Sequence, residues 1–365
     1  VIAVIINHLN KNLLENGYLG VDIFFVISGF VITRSLLLNS KEQKLSDFII
    51  DFYQKRFKRI IPALIFFVLI MSLLIFLFIP LPGPSLKTGI FSLLGLSNIF
   101  LYNQSIDYFA SSADLNIFTN TWSLGVEEQF YILYPFLFWF IFKKKNIQLS
   151  RKYLIYLISS ISFISLISFI YFYYFNFNAA YYLTPMRFWE MGLGCLSGLI
   201  MINNFSNNIG NIIKKIICSI TFLTIILCFF LNFEFGLFST ILITFSTFLL
   251  ILFSEKQFWT DKLLVNRIFR NISSYSYSLY LWHWGIISLF RWTFGLNNKS
   301  IIVASLIFSL FAIFSYHFIE NPFRKGTFFN NKILEIVACL SGIFLTSISI
   351  ISTRYLSKIW PYFPT

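Results

Sequence analysis

Eleven apolar stretches dominate this 365-residue sequence, and most run close to the length of a bilayer span. A transmembrane helix needs ~20 mostly apolar residues. The stretches are 1–9, 20–38, 60–79, 123–142, 152–174, 186–202, 212–231, 236–253, 275–294, 300–319 and 333–352. Their apolar residues are continuous and do not alternate, which excludes the strands of a membrane barrel. A soluble surface is excluded by charge, because only 12% of residues are charged against about 25% in soluble domains. The expected fold is therefore all-α, a polytopic membrane helix bundle of ten spans plus an eleventh at 333–352. The stretch 1–9 is too short to cross and is expected to be the last half of a first, truncated helix. Residues 1–325 are expected to form one membrane domain, with 326–365 an extra C-terminal helix and a short extracytoplasmic end.

The balance is basic, Lys+Arg 28 against Asp+Glu 15. The bases cluster between apolar stretches, so they report membrane orientation and not nucleic-acid binding. Dense clusters occur at Arg34–Arg59, at Lys143–Lys145 with Arg151 and Lys152, and at Lys214 and Lys215. Two more occur at Lys256–Arg270 and at Arg324–Lys332. These are expected to be cytoplasmic. The loops 103–121, 175–185, 232–235 and 295–299 hold only Lys299 and should face outward. If 86–102 also crossed, the loop 103–121 with Asp107 and Asp114 would be cytoplasmic and Lys143–Lys145 would be outside. That stretch is therefore expected to be re-entrant or interfacial, and Pro80, Pro82, Gly83 and Pro84 suit a turn back toward the bilayer. The cysteines Cys195, Cys218, Cys228 and Cys339 all lie in apolar stretches with no CxxC pair, and read as small packing residues rather than disulfide or metal ligands.

Ionisable groups inside hydrocarbon are costly, so each is a candidate. His8 ends the first stretch near the outer face, where it is either an interfacial helix-end residue or a general base. Asp22 opens the second span in the run GVDIFFVISGF, whose Ser28 and Gly29 permit close helix approach. Arg56 and Arg59 share a helix face at a cytoplasmic surface, fit to anchor lipid headgroups or to fork onto phosphate oxygens. In TWSLGVEEQFY, Glu127 and Glu128 enter an apolar helix beside Trp122 and Ser123. Neighbouring helix positions point about 100° apart, so both cannot face one pocket, and at least one must be paired or protonated. Arg187 and Glu190 are spaced i, i+3 for mutual neutralisation. His283 lies mid-span, where a hydrogen-bonded packing role competes with a functional one, and Glu320 reads as a helix cap.

In order along residues 1 to about 325, the His8 helix, GVDIFFVISGF, RFKRIIPA, TWSLGVEEQFY, TPMRFWEMGLG, SYSLYLWHW and ENPFRK resemble the acyltransferase-3 family of bacterial membrane O-acyltransferases. The resemblance implies transfer of an acyl group, usually acetyl from acetyl-CoA, to a hydroxyl of a cell-envelope carbohydrate or lipid-linked sugar. It implies a location in the bacterial inner (plasma) membrane. It makes His8 the catalytic residue, partnered by a base eleven positions earlier, which would precede Val1. It gives Arg56 and Arg59 a role with the acyl donor. Asp22 and Glu127 join His8 as catalytic candidates, with Trp122, Ser123, Glu128, Arg187, Glu190 and His283 as further pocket candidates. Acyl-CoA is then a co-substrate, with no permanently bound cofactor, no metal, and no nucleic-acid partner. Many relatives continue beyond the eleventh helix into an extracytoplasmic hydrolase-like domain.

Such chemistry suits the residues. A positioned imidazole can take the proton of a sugar hydroxyl as it attacks a thioester, worth roughly 10²–10⁴-fold; an acyl-histidine intermediate is the second route. A transporter or flippase would use the same charges as a relay and would carry internal repeats, and none is visible. A structural scaffold leaves Asp22, Glu127 and Glu128 unexplained. A glycosyltransferase would want outer-loop acids, for which Asp107 and Asp114 are the candidates.

Overall fold

The computed structural model describes residues 1–39, 44–78, 83–106, 115–142, 147–201, 209–255, 258–326 and 332–359. Lys41, Pro80, Pro82, Asp107, Asp114, Lys143, Lys144, Lys145 and Lys256 lie outside the described residues. Every regular element among the described residues is helical. The helices are α1 (Ile2–Leu9), α2 (Gly20–Asn39), α3 (Leu45–Phe78), α4 (Gly83–Leu93), α5 (Ser97–Ile106), α6 (Trp122–Phe142), α7 (Ile147–Phe175) and α8 (Phe177–Tyr182). They continue as α9 (Thr184–Met201), α10 (Asn211–Phe230), α11 (Gly236–Phe253), α12 (Trp259–Leu264), α13 (Arg267–Thr293), α14 (Asn298–Phe314), α15 (Asn321–Lys325) and α16 (Lys332–Ile359).

Seven stretches among the described residues are long and apolar enough to cross a membrane: Gly17–Leu38, Leu45–Phe78, Gln148–Phe175, Asn211–Phe230, Gly236–Phe253, Asn298–Lys325 and Lys332–Ser352. Three further expected spans, 123–142, 186–202 and 275–294, coincide with α6, α9 and the C-terminal part of α13. These helices are 21, 18 and 27 residues long. Length suffices for a crossing, but apolarity does not, because they carry Glu127, Glu128, Arg187, Glu190, His283 and several hydroxyl side chains. Most of their polar groups are buried inside the protein, away from lipid. The helices that fall short by composition are those that hold most of the candidate chemistry.

The stretch 86–102 is not one helix. It is the pair α4 and α5, 11 and 10 residues long, broken at Gly95 with φ 68°. At 1.5 Å per residue neither approaches a ~30 Å hydrocarbon core.

The residues pack as two compact units, Val1–Gln43 with Phe130–Ser274, and Lys44–Gln129 with Tyr275–Thr365. In the first, α2 and α9 run parallel at very close range. A Cβ on Gly29 would strike the Met191 carbonyl, and one on Gly194 would strike the Val26 carbonyl. Gly198 faces Thr33 further along. α7 runs antiparallel on α9, with Ser165 Oγ donating to the Pro185 carbonyl at 2.5 Å and Ser162 against Gly192. α10 and α11 form a hairpin closed by Lys214 and Glu255 at 2.6 Å. In the second unit, α3 and α16 run parallel, joined by Lys58–Glu335 at 3.0 Å and, seven residues on in each helix, by Ile65 against Gly342.

The expected ten spans plus an eleventh require α2 to run parallel to α9 and α3 parallel to α16, and a further crossing at 86–102 would make both pairs antiparallel.

Candidate functional site

In the first unit the parallel packing of α2 on α9 brings the starts of both helices together. Arg187 Nη1 donates to Asp22 Oδ1 at 2.7 Å and to Glu190 Oε1 at 2.5 Å. All three are at most 3% exposed. Arg187 Nε donates to the Tyr181 carbonyl at 3.2 Å, and the guanidinium lies over the Phe169 and Tyr181 rings at 5.4 Å from each centroid. The i, i+3 pair expected from sequence is present. The second carboxylate, 165 positions away, is one that spacing could not supply. Two carboxylates on one guanidinium leave this buried cluster with an acid in excess. It can fix the helix ends, hold a proton between its carboxyls, and present a polar surface.

His8 belongs to the same unit, half-buried in the last turn of α1. Its position is set by its neighbours. Asn7 is buried and donates to the carbonyls of Leu14 and Glu15 at 2.7 and 3.0 Å. Gly17 and Gly20 let α1 press directly on the turn that opens α2, since a Cβ on Gly20 would meet Val4. The same turn is tied onward by Asn16, which donates to the Leu231 carbonyl at 2.9 Å. The imidazole is therefore carried one turn beyond the Val4–Gly20 contact, on a braced turn, at the end where α2 and Asp22 begin.

The second unit gathers another set. Ser123 Oγ and Tyr280 OH are 2.7 Å apart, Tyr280 OH donates to the Asn120 carbonyl at 2.9 Å, and Asn120 Nδ2 donates to the Tyr280 carbonyl at 2.7 Å. Tyr277 OH donates to the Ile60 carbonyl at 3.0 Å, and Ser278 Oγ to Glu320 Oε2 at 2.9 Å. His283 Nδ1 donates to the Leu279 carbonyl at 3.0 Å. Trp122 and Glu127 are buried, and Glu128 is half-buried against Gly95. The two glutamates thus differ in environment, as neighbours on a helix must. The break at Gly95 braces them, because Gln129 Nε2 donates to the Gly95 carbonyl at 3.2 Å and to Asn98 Oδ1 at 2.8 Å. Arg56 lies over the Phe52 ring at 5.9 Å, and Arg59 shares its helix flank, both half-buried.

The structure thus joins Asp22, Arg187 and Glu190 in one unit with His8. It joins Ser123 with Tyr280 and Asn120, and Ser278 with Glu320, in the other, the unit that also holds Glu127, Glu128 and Arg59. Sequence reasoning gave no site role to Tyr277, Tyr280, Asn120 or Glu320. The signal for the tyrosines was the hydroxyl-rich SYSLY run. Glu320, read as a cap, ends a π-helical turn at Ser315–Glu320, and such turns often re-aim a functional side chain. Among the described residues no three His, Cys, Asp or Glu side chains converge as a metal would require.

The acyltransferase domain of the acyltransferase-3 family matches residues 2–320. The chain belongs to that family. Acyltransferase-3 relatives extend the match: O-acetyltransferase OatA of Staphylococcus aureus is 32% identical over 351 residues, covering 90% of this chain and 56% of the relative. Peptidoglycan O-acetyltransferase OatA of Listeria monocytogenes is 30% identical over 347 residues, covering 90% and 55%. The chain spans a little over half the length of these curated relatives. No solved structure matches it. The family membership and the apolar helices together make this a multi-pass membrane protein.

Proposed function

We propose that the chain is an O-acetyltransferase of the bacterial plasma (inner) membrane. It moves an acetyl group from acetyl-CoA to a hydroxyl of a cell-envelope glycan, with peptidoglycan as the acceptor class. The observation that carries this reading is the likeness, along nine-tenths of the chain, to relatives named for O-acetyl transfer, one of them for peptidoglycan.

His8 is the general base. Its imidazole takes the proton of the acceptor hydroxyl as that oxygen attacks the thioester carbonyl. The C–O bond forms, the C–S bond breaks, and the imidazolium returns the proton to the departing CoA thiolate. Rigid placement matters because proton transfer needs hydrogen-bond reach, and the Asn7, Gly17 and Gly20 contacts supply it. The Asp22–Arg187–Glu190 cluster holds the start of α2 in place beside that turn and contributes a polar wall.

Arg56 and Arg59 take the donor's phosphates, since guanidinium forks suit phosphate oxygens. By the charge pattern of the sequence these arginines are cytoplasmic and His8 is outward. The nucleotide end of CoA then stays inside while its flexible thioester arm enters the membrane domain along polar groups, which amides require in a low-dielectric medium. A lipid-linked glycan can reach the outward end as readily as the polymer.

A test uses membranes containing the protein, radiolabelled acetyl-CoA and peptidoglycan. Label should move to the glycan as an alkali-labile ester and should be lost in His8→Ala at unchanged expression. Transfer retained by His8→Ala removes His8 as the base and directs attention to His283. Absence of transfer by the native chain removes the proposal and leaves the buried charges to the relay of a transporter.

A further inference from the structure

One groove in the second unit takes no part in the chemistry above. It encloses about 340 Å³ between α3, the α14–α15 corner and α16. α3 contributes Ile61, Ile65 and Leu69 to its wall, and α16 contributes Ala338, Cys339 and Gly342. Gly342 opens the space, because a Cβ there would stand 2.9 Å from Ile65 Cδ1. At one end the apolar wall gives way to Lys58 and Glu335. Lys58 Nζ donates to Glu335 at 3.0 Å and to the Gly326 carbonyl at 2.6 Å, so this end is polar, neutralised and fixed.

Three features identify an occupant. First, the α3 wall runs from Lys58 to Leu69, or about 16 Å at 1.5 Å per residue. That is close to half of a ~30 Å hydrocarbon core, the depth of one leaflet. Secondly, exposed cations neighbour the polar end in sequence: Lys55 is one turn before the groove residue Lys58, and Arg324 and Lys325 directly follow the groove residue Phe323. Thirdly, the cationic end is the cytoplasmic one by the charge rule, where basic pockets between helices meet anionic lipid headgroups.

We propose that this groove binds an anionic phospholipid of the cytoplasmic leaflet, one acyl chain lying along α3 and α16 and the phosphate at the Lys55–Arg324–Lys325 rim. At about 100° per residue, Lys58, Ile61 and Ile65 share one face of α3 and Arg56 points about 160° from Lys58, while Arg59 lies one turn from Lys55. The inference does not rest on the proposed acetyl transfer, and an acetyl-CoA titration separates the groove from the donor site.

Cys339 reports on the groove in the native protein. It is half-buried in the groove wall, while Cys195, Cys218 and Cys228 are buried and serve as internal references. The experiment alkylates the purified protein in detergent with N-ethylmaleimide and follows each cysteine by mass spectrometry. Phosphatidylglycerol, phosphatidylcholine or acetyl-CoA is titrated in separate runs. At ten times its dissociation constant, phosphatidylglycerol should slow Cys339 about tenfold, and the other two additions should leave the rate unchanged. Arg324→Gln with Lys325→Gln should raise the protecting concentration roughly thirtyfold by removing two headgroup-facing charges. Equal protection by phosphatidylcholine would reduce the effect to unspecific lipid, and protection by acetyl-CoA would give the groove to the donor. No protection by any of them, or an unchanged protecting concentration in the double variant, overturns the proposal. Should that variant fail to fold, the titrations of the native protein decide alone.

Discussion

Replacing Arg187 by alanine removes the cation that Asp22 and Glu190 share, and the geometry sets the size of the effect. With charge centres about 4 Å apart and an effective dielectric constant of ~20, each attraction is worth about 4 kcal/mol. The two carboxylates repel one another by a comparable amount once the guanidinium is gone. Deleting one partner of a buried pair typically costs ~3–5 kcal/mol. Arg187 serves two carboxylates at 2.7 and 2.5 Å, so the loss should fall at the upper end. Asp22→Asn leaves a one-to-one pair with Glu190 and should cost less, ~1–3 kcal/mol. The triple variant Asp22→Asn, Arg187→Met, Glu190→Gln removes every charge and should recover most of the stability, because the desolvation of all three groups disappears. The assay is thermal unfolding of the purified protein in one detergent, followed by loss of the monodisperse peak in size exclusion. The expected order is native, close to the triple variant, above Asp22→Asn, well above Arg187→Ala. Tolerance of Arg187→Ala within about 1 kcal/mol, or a triple variant as unstable as the single, refutes the argument that charge balance holds α2 against α9. Activity in the stable triple variant would assign the cluster to architecture alone; its loss would give the cluster a part in the reaction.

Gly194→Val should destabilise the α2–α9 contact by ~1–3 kcal/mol or more, since its Cβ would meet the Val26 carbonyl, whereas Gly210→Ala, with nothing within 4 Å of its Cβ, should cost at most the ~0.5–1 kcal/mol of a weaker N-cap on α10. Equal melting of the two variants would contradict the close approach. Arg56→Ala and Arg59→Ala should each raise the apparent constant for acetyl-CoA roughly ten- to a hundredfold, the value of a charged hydrogen bond to phosphate, with the acceptor constant little moved; an unchanged donor constant would leave them as lipid anchors. Leu13→Cys should react with an impermeant maleimide on intact cells, and Ile212→Cys only after permeabilisation; both side chains are well exposed. The reverse pattern would invert the topology.

How much was legible in the sequence follows from which interactions are local. Seven of the expected spans were legible as long apolar runs. The basic loops argued against a crossing at 86–102, and the break at Gly95 leaves two helices each too short to span. Ser28 and Gly29 marked a close approach, but the partners of Gly29, Met191 and Cys195, could not be named, because nothing in a linear pattern pairs two helices. Arg187 with Glu190 was legible as an i, i+3 pair, while Asp22 reached the same guanidinium only through the parallel packing. Tyr277 and Glu320 were missed for a related reason: their significance lies in Ile60, Ser278 and the π-helical turn, contacts that spacing does not encode. The helices that hold most of the candidate chemistry are also those with the weakest membrane signal, since the polar groups that make them interesting lower their hydropathy.

The central claim is acetyl transfer from a cytoplasmic donor to an outward acceptor, with His8 as the base. Sealed membrane vesicles of known orientation test it most directly. Radiolabelled acetyl-CoA is supplied on the cytoplasmic face and a soluble peptidoglycan fragment is confined to the other. The account predicts ester-linked label on the fragment, no CoA crossing, and no label with His8→Ala. Transfer only when both substrates share one face, or undiminished transfer by His8→Ala, contradicts it.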